Sequence, residues 1–206
     1  MNHFYIVIAL TLAFSSPAVI ADINLPDFKS YKDVKQKKRA FFDYMLPYVK
    51  KANQEILAER KVVAAMNIKK LNNQQLNRLT SLLAKYRIKD KKITEQTKQK
   101  LLNKIDVIPA SLALAQAANE SAWGTSRFAK KAYNFYGQWC FSKGCGLLPK
   151  QRSAGMSHEV KKFKSPYESI KGYMLNLNSH PAFISVRNYR AEQRKKHIKH
   201  QGVVLA

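Results

Sequence analysis

Residues 108–124 read Ile-Pro-Ala-Ser-Leu-Ala-Leu-Ala-Gln-Ala-Ala-Asn-Glu-Ser-Ala-Trp-Gly. No other stretch restricts the fold as much. The spacing predicts a helix whose first turn can hold Pro109, where a missing N–H costs nothing, and which Gly124 stops. Its side chains are mostly small, so another element must approach it closely. Glu120 falls near the C-terminal end, on the stripe of Ala113, Gln116 and Ala117, and is expected to be at least partly buried there. Burial and the negative end of a helix dipole both favour the protonated form of a carboxyl. A carboxyl held protonated can act as a general acid. The same spacing also describes a surface glutamate on an ordinary helix.

The chain begins with an apolar stretch, residues 2–14, too short to span a bilayer comfortably. Ser15-Ser16-Pro17 breaks it, and Val19-Ile20-Ala21 offers a cleavage site. Residues 1–21 are therefore read as a signal peptide, with an uncleaved anchor as the alternative. The remaining residues suffice for one domain with a core. The formal net charge is +24, none of it from residues 1–21. So basic a chain ordinarily suggests nucleic acid. Export argues against nucleic acid and towards anionic envelope polymers or headgroups, or towards a lysine-rich solvated surface. The expected location is the periplasm or cell envelope.

Cys140 and Cys145 enclose four residues and are expected to form a disulfide in an oxidising compartment. No second close cysteine pair exists to complete a metal site, and neither metal nor cofactor is expected. Residues 34–66 carry Phe41, Met45, Val49, Ile56, Val62 and Val63 at helical spacing, with Pro47 expected to kink or divide the helix. Residues 73–88 form a second helix, with Leu76, Leu79, Leu82, Leu83 and Tyr86 on its face. Thr94 caps a third. Residues 22–100 are read as a helical N-terminal region packed against the catalytic part. Residues 137–155 break the helical period, and residues 157–163 fit a short strand, giving a small hairpin lobe. From Pro166 the helical pattern returns through Tyr167, Ile170, Met174 and Leu177. The expected fold class is α+β, mostly helical.

Several blocks appear in order: Asn119-Glu120-Ser121-Ala122-Trp123-Gly124, Asn134-Phe135-Tyr136-Gly137-Gln138-Trp139-Cys140, Gly144-Cys145-Gly146-Leu147, His158-Glu159-Val160, and residues 167–178. This series resembles the Bax-like branch of the bacterial glucosaminidase-domain proteins, peptidoglycan hydrolases related to glycoside hydrolase family 73. The resemblance covers residues 105–190. It implies a lysozyme-like fold with a cleft between the helices and the hairpin lobe. It also implies a catalytic domain over residues 101–206, action on peptidoglycan glycan strands, and Glu120 as the acid. Relatives of this family continue with a final tyrosine-bearing helix, whereas this sequence ends Gly202-Val203-Val204-Leu205-Ala206 and reads as truncated.

Glycoside cleavage needs a proton for the leaving oxygen and stabilisation of a positively charged transition state. The expected second carboxylate is Glu159 on the hairpin lobe. Glu168 competes, although at a helix start it also compensates the dipole. Many relatives carry Asp immediately before the tyrosine matching Tyr173, where this chain has Gly172. Tyr136, Trp139 and Tyr173 are assigned to stacking on pyranose faces, and Asn134 and Gln138 to hydrogen bonds with acetamido groups. Phe135 is assigned to the core. Trp139 as a core residue and Asn134 as a turn tie are the alternatives. An endo-β-N-acetylglucosaminidase is the leading reading. A lytic transglycosylase or muramidase, or a non-catalytic wall-binding protein, is the alternative.

Overall fold

The computed structural model describes residues 25–150 and 155–196. The signal-peptide reading and the apolar C-terminal end lie outside them. Among the described residues, no helix is long and apolar enough to cross a membrane.

Asp33 starts helix α1 (Val34–Ala65) by accepting from the Gln36 N–H at 2.7 Å. Phe41, Met45, Val49, Ala52, Ile56 and Val63 form one buried stripe along it. Pro47 does not divide this helix, contrary to the sequence expectation. The buried residues on either side of the proline lie on one face, and α1 packs that face against α4 (Ala110–Glu120) and α6 (Pro166–Ser179). Those contacts hold both halves in one helix across the lost hydrogen bond. Helix α2 (Asn73–Lys85) opens with a capping box between Asn72 and Gln75. Its Leu76, expected on the inner face, is exposed, as is Val62 of α1. Thr94 caps α3 (Glu95–Lys104) by accepting from the Thr97 N–H.

Helix α5 (Arg127–Ala132) is capped by Ser126, α6 by Ser165, and α7 (Ile184–Lys195) closes the described chain. The expected hairpin is a three-stranded antiparallel sheet. Its strands are β1 (Trp139–Cys140), β2 (Gly146–Leu147) and β3 (Glu159–Lys161). The order is β1-β3-β2, with Cys140 opposite Glu159 and Leu147 opposite Val160. The last strand therefore lies in the middle. The architecture is mostly helical α+β.

One core joins residues from α1, α2, α3, α4 and α6, including Met45, Leu79, Leu101, Ala117 and Met174. Helix α7 is fastened to the α3–α4 connection by charge. Arg190, 1% exposed, donates from Nη1 to the Asn178 side chain at 2.6 Å and to the Asp106 carbonyl at 3.2 Å. Arg194 grips the Asp106 carboxylate through Nε at 2.6 Å and through Nη2.

Candidate active site

Helix α4 ends at Glu120, and the chain then passes through three consecutive left-handed residues, Ala122 (φ 49°), Trp123 (φ 59°) and Gly124 (φ 75°). For the first two this conformation costs about 1–2 kcal/mol each. Surrounding contacts hold it in place. Buried Ser121 donates to the Ala117 carbonyl at 2.6 Å and accepts from the Gly124 N–H at 2.8 Å. Trp123 packs edge-on against Phe41 and Phe42. At Gly124 a side-chain carbon would stand 2.5 Å from the Phe28 ring, so glycine is required both by φ and by space.

Glu120 itself is exposed, which corrects the expectation of burial. Ala113 and Ala117 do face the core, but Gln116 and Glu120 lie on the solvent flank of that stripe. The carboxylate is not remote from the other motifs. Its Oε2 stands 3.4 Å from where a side-chain carbon on Gly137 would be, so the end of α4 overhangs the turn at residues 134–138.

That turn is built from its own side chains. Asn134 is 1% exposed. Its Nδ2 donates to the Gln138 and Lys161 carbonyls at 2.8 and 2.9 Å, and its Oδ1 accepts from the Tyr136 and Gln138 N–H groups. The sequence reading placed Asn134 on a substrate acetamido group. The structure corrects this, because its hydrogen-bonding capacity is filled by the turn and β3. Gln138 is corrected likewise. Oriented to satisfy both ends, its amide donates to the Ser169 carbonyl at 3.2 Å and accepts from the Tyr173 N–H at 2.8 Å. An uninterrupted α-helix joins those two groups to each other. The Gln138 amide thus stands at the hydrogen-bond ladder of α6, where Gly172 leaves room for it.

Tyr136 is buried and lies face to face with Tyr173, ring centroids 4.0 Å apart and planes 7° from parallel. Its expected place in the cleft is corrected, since both of its faces are inside the protein; Tyr173 remains half-buried. Burial pushes the Tyr136 hydroxyl above the ordinary tyrosine range, with Tyr173 adding to the effect, and burial also raises Tyr173. Trp139 is 56% exposed and stacks one face on His158, centroids 4.2 Å apart. Phe135 is in the core, as expected.

Cys140 and Cys145 are joined as a disulfide. Glu159 sits on β3 beside it, buried, with its oxygens accepting from the Gly144 N–H at 2.9 Å and the Gly146 N–H at 2.7 Å. The carboxylate lies within 4.8 Å of both sulfurs, whose metal-binding capacity is removed by their bond to each other. Expected to face Glu120 as a second carboxylate, Glu159 instead holds the disulfide loop. Glu168 caps the start of α6, accepting from the Lys164 N–H at 3.0 Å.

A family model described as mannosyl-glycoprotein endo-beta-N-acetylglucosaminidase matches residues 95–204, more than half of the chain. The chain belongs to the glucosaminidase family. It is 33% identical over 177 residues to Protein bax of Escherichia coli strain K12. The match covers 84% of this chain and 62% of that relative. No solved structure matches it. Two pockets of this family member draw on residues ahead of 95, where the family model begins. A pocket of about 400 Å³ between α1 and α6 is lined by Glu55, Glu59, Lys85 and Lys171. A second, of about 280 Å³, lies against Gln138 and Trp139 and includes Arg87, Lys161 and Asn176. The sequence reading missed both sets, because their members come from separate helices and turns and carry no local motif.

Proposed function

We propose that this protein is an exported endo-β-N-acetylglucosaminidase that cuts peptidoglycan glycan strands, with Glu120 as general acid. The observation that carries the reading is the exposed Glu120 carboxyl at the end of α4, directly over Gly137. A strand lying over that turn can present its glycosidic oxygen to the acid, with the open face of Trp139 nearby for a sugar ring. The proton passes from Glu120 to the leaving oxygen as the bond from that oxygen to the anomeric carbon breaks. Both Glu159 oxygens are engaged by N–H groups, which favours a route in which the substrate's acetamido oxygen bonds to the anomeric carbon. Water then attacks that carbon as its bond to the acetamido oxygen breaks, and the water gives its proton back to Glu120. The reading includes a periplasmic or envelope location. There the +24 charge suits anionic envelope polymers as additional partners.

Purified sacculi digested with the protein test this. New N-acetylglucosamine reducing ends are the expected product. Anhydromuramic ends would assign a transglycosylase instead, and binding without any product would assign a non-catalytic wall protein.

A further inference from the structure

The carboxylates around two other hollows are already paired. In the pocket between α1 and α6, Glu59 accepts from Lys85 at 2.6 Å and from the Tyr86 hydroxyl at 2.8 Å, while Glu55 accepts from Tyr167 and lies 3.8 Å from Lys171. In the hollow at Asp106, Arg60 and Arg194 hold the carboxylate, and Asn103 Oδ1 in the same lining is a buried acceptor without a partner. The pocket beside Trp139 differs. Among the described residues, the side chains of Arg87 and Asn176 make no hydrogen bond or ion pair. The one interaction of the Lys161 side chain among the described residues is with the Phe163 ring. Ser179, also in the lining and 1% exposed, has a hydroxyl with no hydrogen-bond partner. Among the described residues, two cations line this space and no carboxylate does. Arg87 further holds a left-handed backbone, φ 56°, uncommon for a residue with a side chain.

These features describe a site for a sugar that carries a negative charge. The free indole face of Trp139 provides a platform for a pyranose ring, and Asn176 and Ser179 provide groups for its hydroxyls or amide. Arg87 and Lys161 attract a carboxylate. We propose that this pocket binds the carboxylate-bearing amino sugar of a glycan strand and so sets the register in which the strand crosses Glu120. The proposal rests on the glycan-hydrolase reading and goes beyond it by naming Arg87, a residue outside the matched family segment, as a specificity determinant. The carboxylate belongs either to the lactyl ether of the muramic sugar or to the peptide attached there.

Calorimetric titration of the whole protein tests the pocket apart from catalysis. Three ligands are compared: a neutral N-acetylglucosamine oligomer, the N-acetylglucosaminyl-N-acetylmuramic acid disaccharide with a free lactyl carboxylate, and the same disaccharide bearing its peptide. At least one anionic ligand should bind roughly tenfold or more tightly than the neutral oligomer, the scale of one charge-assisted hydrogen bond. Preference for the disaccharide assigns the lactyl group; preference confined to the peptide-bearing form assigns the peptide. Arg87→Gly suits the left-handed backbone and should remove most of that preference while leaving affinity for the neutral oligomer unchanged. Lys161→Gln, at an exposed strand position, should act in the same direction. Equal affinities for neutral and anionic ligands overturn the proposal. So does a preference that survives both substitutions, or a loss that is equal for all three ligands. Sacculi that yield no product would remove the hydrolase reading while leaving a measured anionic preference in place.

Discussion

A side-chain carbon on residue 172 would stand 2.9 Å from the amide end of Gln138 and 3.2 Å from the Phe163 ring. Gly172 is therefore the reason the Gln138 amide can reach the backbone of α6. Gly172→Ala should lower stability by less than about 2 kcal/mol, the crowding of the Gln138 and Phe163 side chains outweighing alanine's roughly 1 kcal/mol gain in helix propensity. The urea midpoint checks this, and Gln138→Ala in the same chain should recover part of the loss. Without that recovery, the crowding does not lie at Gln138.

Glu120→Gln should leave the unfolding midpoint within the range of a surface substitution, about ±0.5 kcal/mol, because the side chain is exposed and supports no core contact. Release of reducing ends from sacculi should fall roughly 100-fold or more. Activity retained within about tenfold removes Glu120 from the role of acid.

Glu159→Gln should destabilise the protein by about 1–3 kcal/mol, since one amide oxygen replaces two acceptors and an NH₂ group is brought against a backbone N–H. Loss of turnover should follow loss of the loop. Unfolding midpoint and turnover measured together decide this. A variant with the parental midpoint and no turnover would give the carboxylate a direct chemical part. Glu168→Gln should keep both, because glutamine also caps a helix start.

Thiol titration of protein denatured without prior reduction should find none. Paired replacement of Cys140 and Cys145 by serine should cost about 2 kcal/mol, the chain-entropy value for so short a loop. Unfolding curves of parent and variant give the comparison.

Burial opposes ionisation of Asp106. The hydrogen bond from Arg194 and the charges of Arg190 and Arg60 outweigh it, holding the carboxyl below the ordinary aspartate value. A depressed folded pKa adds stability above the unfolded value, about 3.9, and loses it as pH falls through the folded value. Stability should therefore decline below about pH 4. Asp106→Asn should remove this component of the decline. It should also destabilise at neutral pH by roughly 3 kcal/mol, the low end for a broken buried pair because Arg194 keeps 37% of its side chain in water. Denaturant midpoints against pH for both proteins provide the measurement.

Local chemistry was legible along the chain. Thr94 reads as a cap and Cys140 and Cys145 as a pair, because each acts on residues within one turn or loop; Pro109 instead stands just ahead of α4 as its N-cap, and α4 ends at Glu120, four residues short of the expected stop at Gly124. For Asn134 the alternative reading, a turn tie, describes its bonds to Tyr136 and Gln138, with Lys161 completing them; Gln138 was misread because what fills its amide, Ser169 and Tyr173, arrives from another element. Glu120 was expected inside because a stripe of small residues says that something packs there, not how far round the helix it reaches. Pro47 was expected to divide α1 because its helix-breaking effect is local, whereas the packing that overrides it comes from α4 and α6.

Phe28 and Phe41 cover Gly124, four residues beyond the proposed acid, yet both lie ahead of residue 95, where the family match begins. The family segment at residues 95–204 therefore does not contain everything that shapes the turn after Glu120. A gene fusion that transplanted residues 95–204 alone would carry the Glu120 motif but leave behind the aromatic wall against which its turn is shaped. Inheritance of this candidate site has to be co-linear with the segment from Phe28 to Phe41.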